Sequence, residues 1–498
     1  MPERCGLPAV GPAGRPAALA WALGLALVLG PATARADDLL SVLAGARAAD
    51  PAWRQAALAV QQRQEDQVQA RAAFYPQARL DGLWARQHPA AAGQAPTLRV
   101  FSAQLSQVLL DLAQGKRLDA AQARQVAEEA QRASAGQALI ERSARLYLQR
   151  LTAEALWSAQ QASEQVLAQQ VAQTGERVAA GLAARADLAQ AETYHALARS
   201  QLALADQARA DAQQALAELL GLAPGPLQPL AEGAPPAALV QGAQAPEALA
   251  DWLARAAGHP ALAALDAQRR AAQDDAEALR RDHLPTLGLN LVASHQAGAG
   301  VAEADRQTRS ASLQLSWVPD SAGLRSSRQR QAQLSQAQLD ERREALWRQL
   351  RRSVHAQHQG WRAGLQRWQA GDAAVAAAQA AWSSTQAGLR LGTHRMTDLV
   401  LAIQSLVQAQ AARADAREQT VLAYVGLHLA AGVLDDAVAA EVNRWLQPMA
   451  TLASGPGLAP LGATITTRVS ALDGAGAPSG ATSSVHATGR AAAPAPSR

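Results

Sequence analysis

The chain has 498 residues, enough for two or three ordinary globular domains. Its composition argues against such domains, because aromatic residues make up only 3% of it. A charged fraction of 18% and a net charge of +4 are too small to indicate a nucleic-acid-binding surface. Alanine, leucine, glutamine and arginine dominate instead, which is typical of long packed helices.

The first 36 residues have the features of a secretory signal peptide. Arg4 and Arg15 precede an apolar run over 17–30, and Ala34-Arg35-Ala36 is a small-x-small cleavage site. We therefore expect a mature chain that begins at Asp37; the alternative is an uncleaved membrane anchor, although the apolar run is short for a span. Cys5, the single cysteine, lies in this leader, so we expect no disulfide and no thiolate metal site in the mature protein.

The remainder of the chain is an internal duplication. Pro51 and Pro76 are repeated by Pro260 and Pro285, with 25 residues between the members of each pair. The stretch RVAAGLAARADL (177–188) is repeated by AGLRLGTHRMTDL (387–399). We predict two structural repeats, 37–245 and 246–447, followed by a disordered tail over 448–498 whose Ala/Gly/Ser/Thr/Pro composition cannot support a core.

Each repeat contains a long proline-free tract, 97–223 in the first and 320–447 in the second. Apolar residues recur at three- and four-residue steps from about Leu112 to Val178, which predicts a helix on the order of 100 Å long at 1.5 Å per residue. Gly181 and Gly392 interrupt the two tracts, where a glycine can adopt the left-handed conformation that ends a helix. Each repeat is therefore expected to contain one helix-turn-helix corner.

A pair of strands is predicted before each tract, because residues alternate between apolar and polar with a period of two. The four strands are expected at about 79–88, 98–108, 286–295 and 310–319, the first being the weakest pattern, with exposed loops over 89–97 and 295–309. After residue 36 no run of about 18 apolar residues occurs, so a mature chain that enters a bilayer must do so as strands in a closed barrel.

Four strands cannot close a barrel, and an open edge in lipid leaves backbone groups without hydrogen bonds. Two chains would supply eight strands, a barrel filled by its own side chains, whereas three chains would supply twelve and leave room for a pore. The fold class we predict is therefore mainly α with a membrane β-barrel: an internally duplicated chain whose four strands complete a trimeric, 12-stranded barrel above a long helical barrel.

This order of elements resembles the TolC family of outer-membrane efflux and secretion channels. The resemblance covers about 38–440, with HLPTLGLNL (283–291) and LSWVPDSAGLRSSRQRQA (315–332) as further characteristic segments. It implies a homotrimer in the outer membrane with a long periplasmic extension. It also implies two partners, a periplasmic adaptor protein and an inner-membrane pump of the resistance-nodulation or ABC type.

The resemblance also implies a gate at the periplasmic corners. Asp398 matches a family position whose carboxylates ring the narrowest point, and Asp187 matches a family aspartate in the polar links that hold the gate shut. His394 stands where the family has an arginine, and Arg395 follows it. Leu389 stands where a tyrosine link is known, and Leu401 replaces a second ring aspartate, so we expect a changed latch and a weaker cation filter.

Each candidate site residue also has a structural explanation. Asp187 and Asp398 are placed to cap a helix, Asp187 together with Gln190 in a capping-box pattern. His394 and Arg395 could pair with acidic residues of a neighbouring corner, but a solvated turn is the stronger explanation because surface ion pairs contribute only about 0–1 kcal/mol. Trp84 and Trp317 mark either the membrane interface or packing between strands.

No enzyme motif is present in the sequence, and we expect no cofactor. His355 and His358 lie one helical turn apart but lack a third ligand, so no metal site is expected. The function predicted is the exit duct of a tripartite export system, for drug efflux or type I protein secretion. The alternative is a trimeric coiled-coil surface fibre, which would show sustained heptads and no duplicated strand pairs.

Overall fold

The computed structural model describes residues 37–86, 97–231, 248–299, 305–319 and 323–447. The expected signal peptide, the tail over 448–498 and most of the loop over 89–97 lie outside the described residues, as does the boundary between the two expected repeats. Within the described part of the chain, no helix is both long enough and apolar enough to cross a membrane.

The fold is mainly helical with one four-stranded sheet, as the fold-class prediction requires. The helices, numbered in chain order, are α1 (Leu39–Ala49), α2 (Pro51–Ala72), α3 (Leu112–Ala179), α4 (Arg185–Leu220), α5 (Leu249–Ala256), α6 (Pro260–Arg281), α7 (Leu324–Arg390), α8 (Met396–Ala430) and α9 (Asp436–Asn443). The strands are β1 (Gln77–Arg86), β2 (Thr97–Leu110), β3 (Thr286–Ala299) and β4 (Asp305–Ser316).

The same order of helices and strands occurs twice along the chain. In each half a 22-residue helix with proline at its first position (α2, α6) leads into two antiparallel strands. A helix of 68 or 67 residues follows (α3, α7), then a corner and a helix of 36 or 35 residues (α4, α8). The long helices form because these tracts lack proline and contain mostly good helix formers. Each long helix extends about 100 Å away from the sheet.

The strand boundaries differ from those expected. The hairpin of β3 and β4 is longer than predicted at its turn, since 295–299 and 305–309 are strand rather than loop, and β4 ends at Ser316 rather than at residue 319. β1 begins two residues before the expected 79, and β2 extends from Thr97 to Leu110. The expected boundaries mark where the alternation of apolar residues stops. The strands continue beyond that point because backbone hydrogen bonds between strands do not require apolar side chains.

The sheet has the order β1-β2-β3-β4 with every neighbouring pair antiparallel. β2 pairs with β3 across the repeat boundary, interrupted by a register shift between Val108 and Leu110. On β2, Phe101, Ala103 and Leu105 are exposed whereas the residues between them are half-buried, so these apolar side chains lie on the more exposed face of the sheet, which we call the convex face. The polar side chains of the same strand, including Ser102 and Gln104, line the concave face.

The main hydrophobic core lies halfway along the helices. It joins α1, α5 and α9 to the long helices through fully buried side chains such as Tyr147, Leu216 and Leu427. The Tyr147 hydroxyl donates to the carbonyl of Gln228 at 2.8 Å, and burial raises the pKa of Tyr147 far above its usual value. This core leaves the sheet at one end of the molecule and the two corners at the other.

Candidate gate at the helix corners

The first corner is formed by a left-handed glycine at the end of α3. Gly181 has φ 73°, its N–H donates to Val178 O at 3.0 Å, and the N–H of Leu182 donates to Arg177 O at 2.8 Å. These bonds satisfy carbonyls that the end of a helix would otherwise leave unpaired.

The second corner repeats this geometry at the end of α7. Gly392 has φ 76°, its N–H donates to Leu389 O at 3.2 Å, and the N–H of Thr393 donates to Gly388 O at 2.9 Å. A Cβ added at Gly181 or Gly392 would meet no atom within 4 Å, so the backbone angle alone accounts for glycine at both positions.

Both candidate aspartates are at the third position of the helix that follows the corner. Asp187 Oδ2 accepts from the N–H of Ala184 at 3.3 Å, and Asp398 Oδ2 accepts from the N–H of Arg395 at 2.9 Å. The expected capping box of Asp187 with Gln190 is wrong, because α4 begins at Arg185 and Asp187 occupies the place assigned to Gln190. Both carboxylates lie in the first turn of their helix, where their negative charge stabilises the positive end of the helix dipole.

His394 lies over its own corner. Its Nδ1 is 3.6 Å from Asp398 Oδ2, and both side chains are nearly half exposed. A Cβ built at Gly388 would lie only 2.1 Å from His394 Cδ2, so the absence of a side chain at Gly388 makes room for the imidazole. Gly388 is not among the residues predicted from the sequence; the signal that could have identified it is its position four residues before Gly392 in the repeated stretch. Arg395, next to His394, is exposed and precedes the first residue of α8.

A small apolar cluster holds the two corners together. It contains buried residues of four helices, which are Val166 and Leu167 of α3, Ala198 of α4, Trp382 of α7, and Leu399, Val400, Ile403 and Leu406 of α8. Leu389, at the position where the family has a tyrosine, is partly buried and packs against this cluster. Trp382, also missed from the sequence, is 6% exposed in a chain with few aromatics.

A second imidazole–carboxylate pair lies near the first corner. His195 Nε2 of α4 is 2.7 Å from Glu164 Oε1 of α3, with both side chains mostly buried. The two residues are 31 positions apart, so helical spacing alone could not reveal the contact; the hairpin of α3 and α4 creates it.

Three leucines at the corners are exposed rather than packed. Leu182 and Leu391, next to the two corner glycines, are 72% and 81% exposed, and Leu401 is 63% exposed. Exposed apolar side chains at these positions are available for contact with another protein.

The two tryptophans lie at opposite ends of the sheet. Trp84 of β1 is 71% exposed, and Trp317 is 63% exposed directly after the end of β4. The indole N–H of Trp317 donates to the carbonyl of His283 at 3.0 Å.

The described residues contain no group of three or more histidine, cysteine, aspartate or glutamate side chains placed to hold a metal ion. His355 is exposed and His358 is buried, so the two side chains do not share one environment on α7.

Comparisons with known proteins agree with this architecture. The family model described as "Outer membrane efflux protein" matches residues 42–222 and 254–433, one segment in each half. The outer membrane protein TolC of Vibrio cholerae is 24% identical over 434 residues, 86% of this chain and 94% of that protein.

Two solved structures are similar in fold. CusC superposes with a TM-score of 0.67 at 17% identity, over 80% of this chain and 92% of that one. The open state of the MtrE outer membrane channel of Neisseria gonorrhoeae gives a TM-score of 0.64 at 19% identity, over 80% and 89% of the two chains. Because the family model matches most of the sequence in two successive segments, this chain belongs to the outer membrane efflux protein family.

Proposed function

We propose that three copies of this chain form a closed, 12-stranded barrel in the outer membrane. The observation that carries this proposal is that, among the residues that the structure describes, β1 and β4 are the edges of the four-stranded sheet, each hydrogen-bonded to a strand on one side only. In lipid each unpaired backbone group costs several kcal/mol, so the edges must be joined to other chains. Three chains give twelve strands and a lumen, whereas two give a barrel filled by its own side chains.

The surfaces of the sheet fit this arrangement. The convex face carries Leu80, Leu313 and Leu315, which are 82%, 66% and 69% exposed in the single chain, as lipid-facing residues are. The concave face carries polar side chains, with Asn290 Nδ2 donating to Gln314 Oε1 at 3.1 Å. A barrel that is apolar outside and polar inside holds a water-filled channel.

The test is cross-linking between neighbouring edges. Leu80→Cys in β1 is combined in turn with Ala311→Cys, Leu313→Cys and Leu315→Cys in β4, all in a Cys5→Ser background. We expect one pair to give disulfide-linked dimers and trimers on denaturing gels, because Cβ atoms at the joined edges come within about 4 Å.

The matched control is Leu80→Cys with Ala293→Cys. Ala293 lies in β3, which is paired on both sides, so it cannot meet the edge of another chain. Monomers for every β4 position, together with a protein that fractionates away from the outer membrane, would contradict the proposal.

The function supported best is the exit duct of a tripartite export system. Membership of the efflux family favours this duct over the coiled-coil surface fibre and favours efflux of small molecules over type I protein secretion. The partners proposed are a periplasmic adaptor protein and an inner-membrane pump of the resistance-nodulation or ABC type. The exposed Leu182 and Leu391 at the corners offer the adaptor an apolar contact.

The corners form the gate of this duct in our proposal. Threefold symmetry would place three Asp398 carboxylates around the axis, which would concentrate cations and repel anions at the constriction. Asp187, His394 and Arg395 would supply polar contacts between neighbouring corners, and Leu389 an apolar one. Trp84 and Trp317 would lie at the two membrane interfaces.

A further inference from the structure

Three arginines give the distal end of the sheet a basic, lipid-facing surface, which we call the distal basic patch: Arg86 of β1, Arg99 of β2 and Arg309 of β4. All three are exposed. Their face follows from the strand register. Trp84 is directly opposite Arg99, and Arg86 lies two residues beyond Trp84 on the same side of β1.

Arg309 lies on the same convex face. It is directly opposite Ala293, which is opposite Ala103, which is in turn opposite Leu80. Residues directly opposite one another share a face of the sheet, so Arg309 continues a row that is otherwise apolar. With strands about 4.8 Å apart and about 3.4 Å per residue, the backbones at Arg99 and Arg309 are roughly 17 Å apart. Long arginine side chains span much of that distance.

The charge of this surface is not cancelled within the described strands. Asp81 lies on the concave face, where it pairs with Arg79 at 2.8 Å. Asp305 is on the convex face, and its carboxylate lies 3.5 Å from His295 Nδ1. Three arginines and one carboxylate therefore lie on this face, so the distal basic patch presents net positive charge to the lipid.

The position of the distal basic patch along the strands identifies the lipid layer that it meets. Nearer the helices, the convex face is apolar at Leu289, Leu291, Leu313 and Leu315. A lipid-facing arginine is costly at the bilayer midplane and tolerated only near the headgroups. Trp84, an aromatic residue of the kind enriched at membrane interfaces, lies directly opposite Arg99 on this face. Phe101 lies on the same face, two residues from Arg99. Arg86 and Arg99 therefore lie at headgroup level on the side away from the helices. Arg309 lies four residues nearer the helices than the row of Arg99, and its long side chain extends towards the same headgroups.

Because the helices of this outer-membrane family extend into the periplasm, that side faces the outer leaflet. The outer leaflet of such membranes consists of phosphorylated glycolipid, and guanidinium groups bind phosphate oxygens through paired, charge-assisted hydrogen bonds. We propose that Arg86, Arg99 and Arg309 bind the phosphate groups of outer-leaflet lipopolysaccharide. This lipid contact rests on the membrane barrel proposed above and is independent of the gate.

The experiment uses the full-length protein in detergent and measures bound lipid by native mass spectrometry. The probes are bis-phosphorylated lipid A, lipid A from which both phosphates have been removed, and phosphatidylglycerol. We expect wild-type protein to retain bis-phosphorylated lipid A and to bind each of the other two about tenfold more weakly. The variant Arg99→Gln/Arg309→Gln should lose this preference.

Arg306→Gln is the matched control, because Arg306 lies in the same strand, three residues from Arg309 and on the concave face opposite Gln296. It should bind lipid A as the wild type does. Equal binding of dephosphorylated lipid A, or of phosphatidylglycerol, by wild-type protein would overturn the proposal without any variant having to fold. Undiminished binding by a correctly assembled Arg99→Gln/Arg309→Gln variant would also overturn it.

Discussion

At Asp398 a single carboxylate has two separable properties, a hydrogen-bond acceptor and a negative charge. The acceptor is used within the chain, since Oδ2 takes the N–H of Arg395 at 2.9 Å. The charge is nearly half exposed, so it is available to the proposed selectivity ring. Substitutions that remove one property and keep the other can therefore distinguish a helix cap from a selectivity ring.

Asp398→Asn should lower cation selectivity while leaving thermal stability close to that of the wild type, because the amide oxygen still accepts from Arg395. Asp398→Ala should lower both, with a loss of stability of about 0.5–2 kcal/mol per chain. Reversal potentials in planar bilayers and melting followed by circular dichroism measure the two effects. If Asp398→Asn retains full cation selectivity, the carboxylate is a cap and nothing more.

The corner glycines allow a second comparison at this scale. Gly392→Ala should destabilise the corner by about 1–2 kcal/mol, because an L-residue at φ 76° is strained. Gly115→Ala is the control, since Gly115 lies within α3 with nothing within 4 Å of an added Cβ. It should stabilise the protein by about 0.5–1 kcal/mol. Melting curves that shift in the same direction for both variants would contradict a role for backbone conformation.

At the scale of elements, α7 and α8 pack closely because glycines of α7 face small residues of α8. A Cβ at Gly364 would lie 2.6 Å from Thr420 Oγ1 and 3.2 Å from Thr420 Cα. Arg417 of α8 covers the Trp368 ring at 5.1 Å and pairs with Asp372 at 2.9 Å. The packing of α7 against α8 therefore depends on a narrow separation between these two helices.

Gly364→Ala should force α7 and α8 apart and cost about 1–3 kcal/mol, as overpacking does. Gly360→Ala is a matched control one turn away, because its Cβ would meet Ala423 Cβ at an ordinary 3.6 Å. We expect Gly364→Ala to lower the melting temperature and Gly360→Ala to leave it unchanged or raise it. Equal effects of the two variants would show that helix separation is not limiting.

At the scale of the whole molecule, the buried His259 and the partly buried His428 should make stability depend on pH. His259 Nδ1 accepts from the N–H of Ala261 at 3.0 Å at the start of α6, a bond that requires the neutral imidazole. Burial lowers the pKa of His259, and burial likewise lowers the pKa of His428, whose ring meets Trp252 edge-on at 4.9 Å. Both rings join helices from different parts of the chain.

Because the folded pKa values lie below the unfolded value of 6.5, the unfolded chain binds more protons just below that pH. Stability should therefore be greatest above about pH 6.5 and fall as the pH decreases towards 5. The variant His259→Asn/His428→Gln should show a smaller decrease in melting temperature between pH 7.5 and 5.5.

His355→Gln, on an exposed position of α7, controls for the loss of an imidazole. Glu418, whose pKa is raised mainly by burial, acts in the opposite direction, so the slopes of the variant and the wild type must be compared. Identical slopes would show that neither His259 nor His428 contributes.

The sequence by itself determined the elements that depend on local chemistry. Proline-free tracts and helix-forming residues predicted the long helices, the alternation in β2 and β3 predicted strands, and the glycine-to-aspartate spacing predicted both corners. The family resemblance, carried by the same segments, predicted an outer-membrane efflux protein. Each of these depends on residues that are neighbours along the chain.

Tertiary structure decided the contacts between residues that are distant along the chain. The pairing of β2 with β3, the cluster around Trp382 and the contact of Glu164 with His195 all arise from packing of separate elements. The face on which Arg99 and Arg309 lie follows from strand register, which a one-residue shift would reverse. Local patterns specify which elements form, but the energies that select their partners come from burial and pairing across the folded chain.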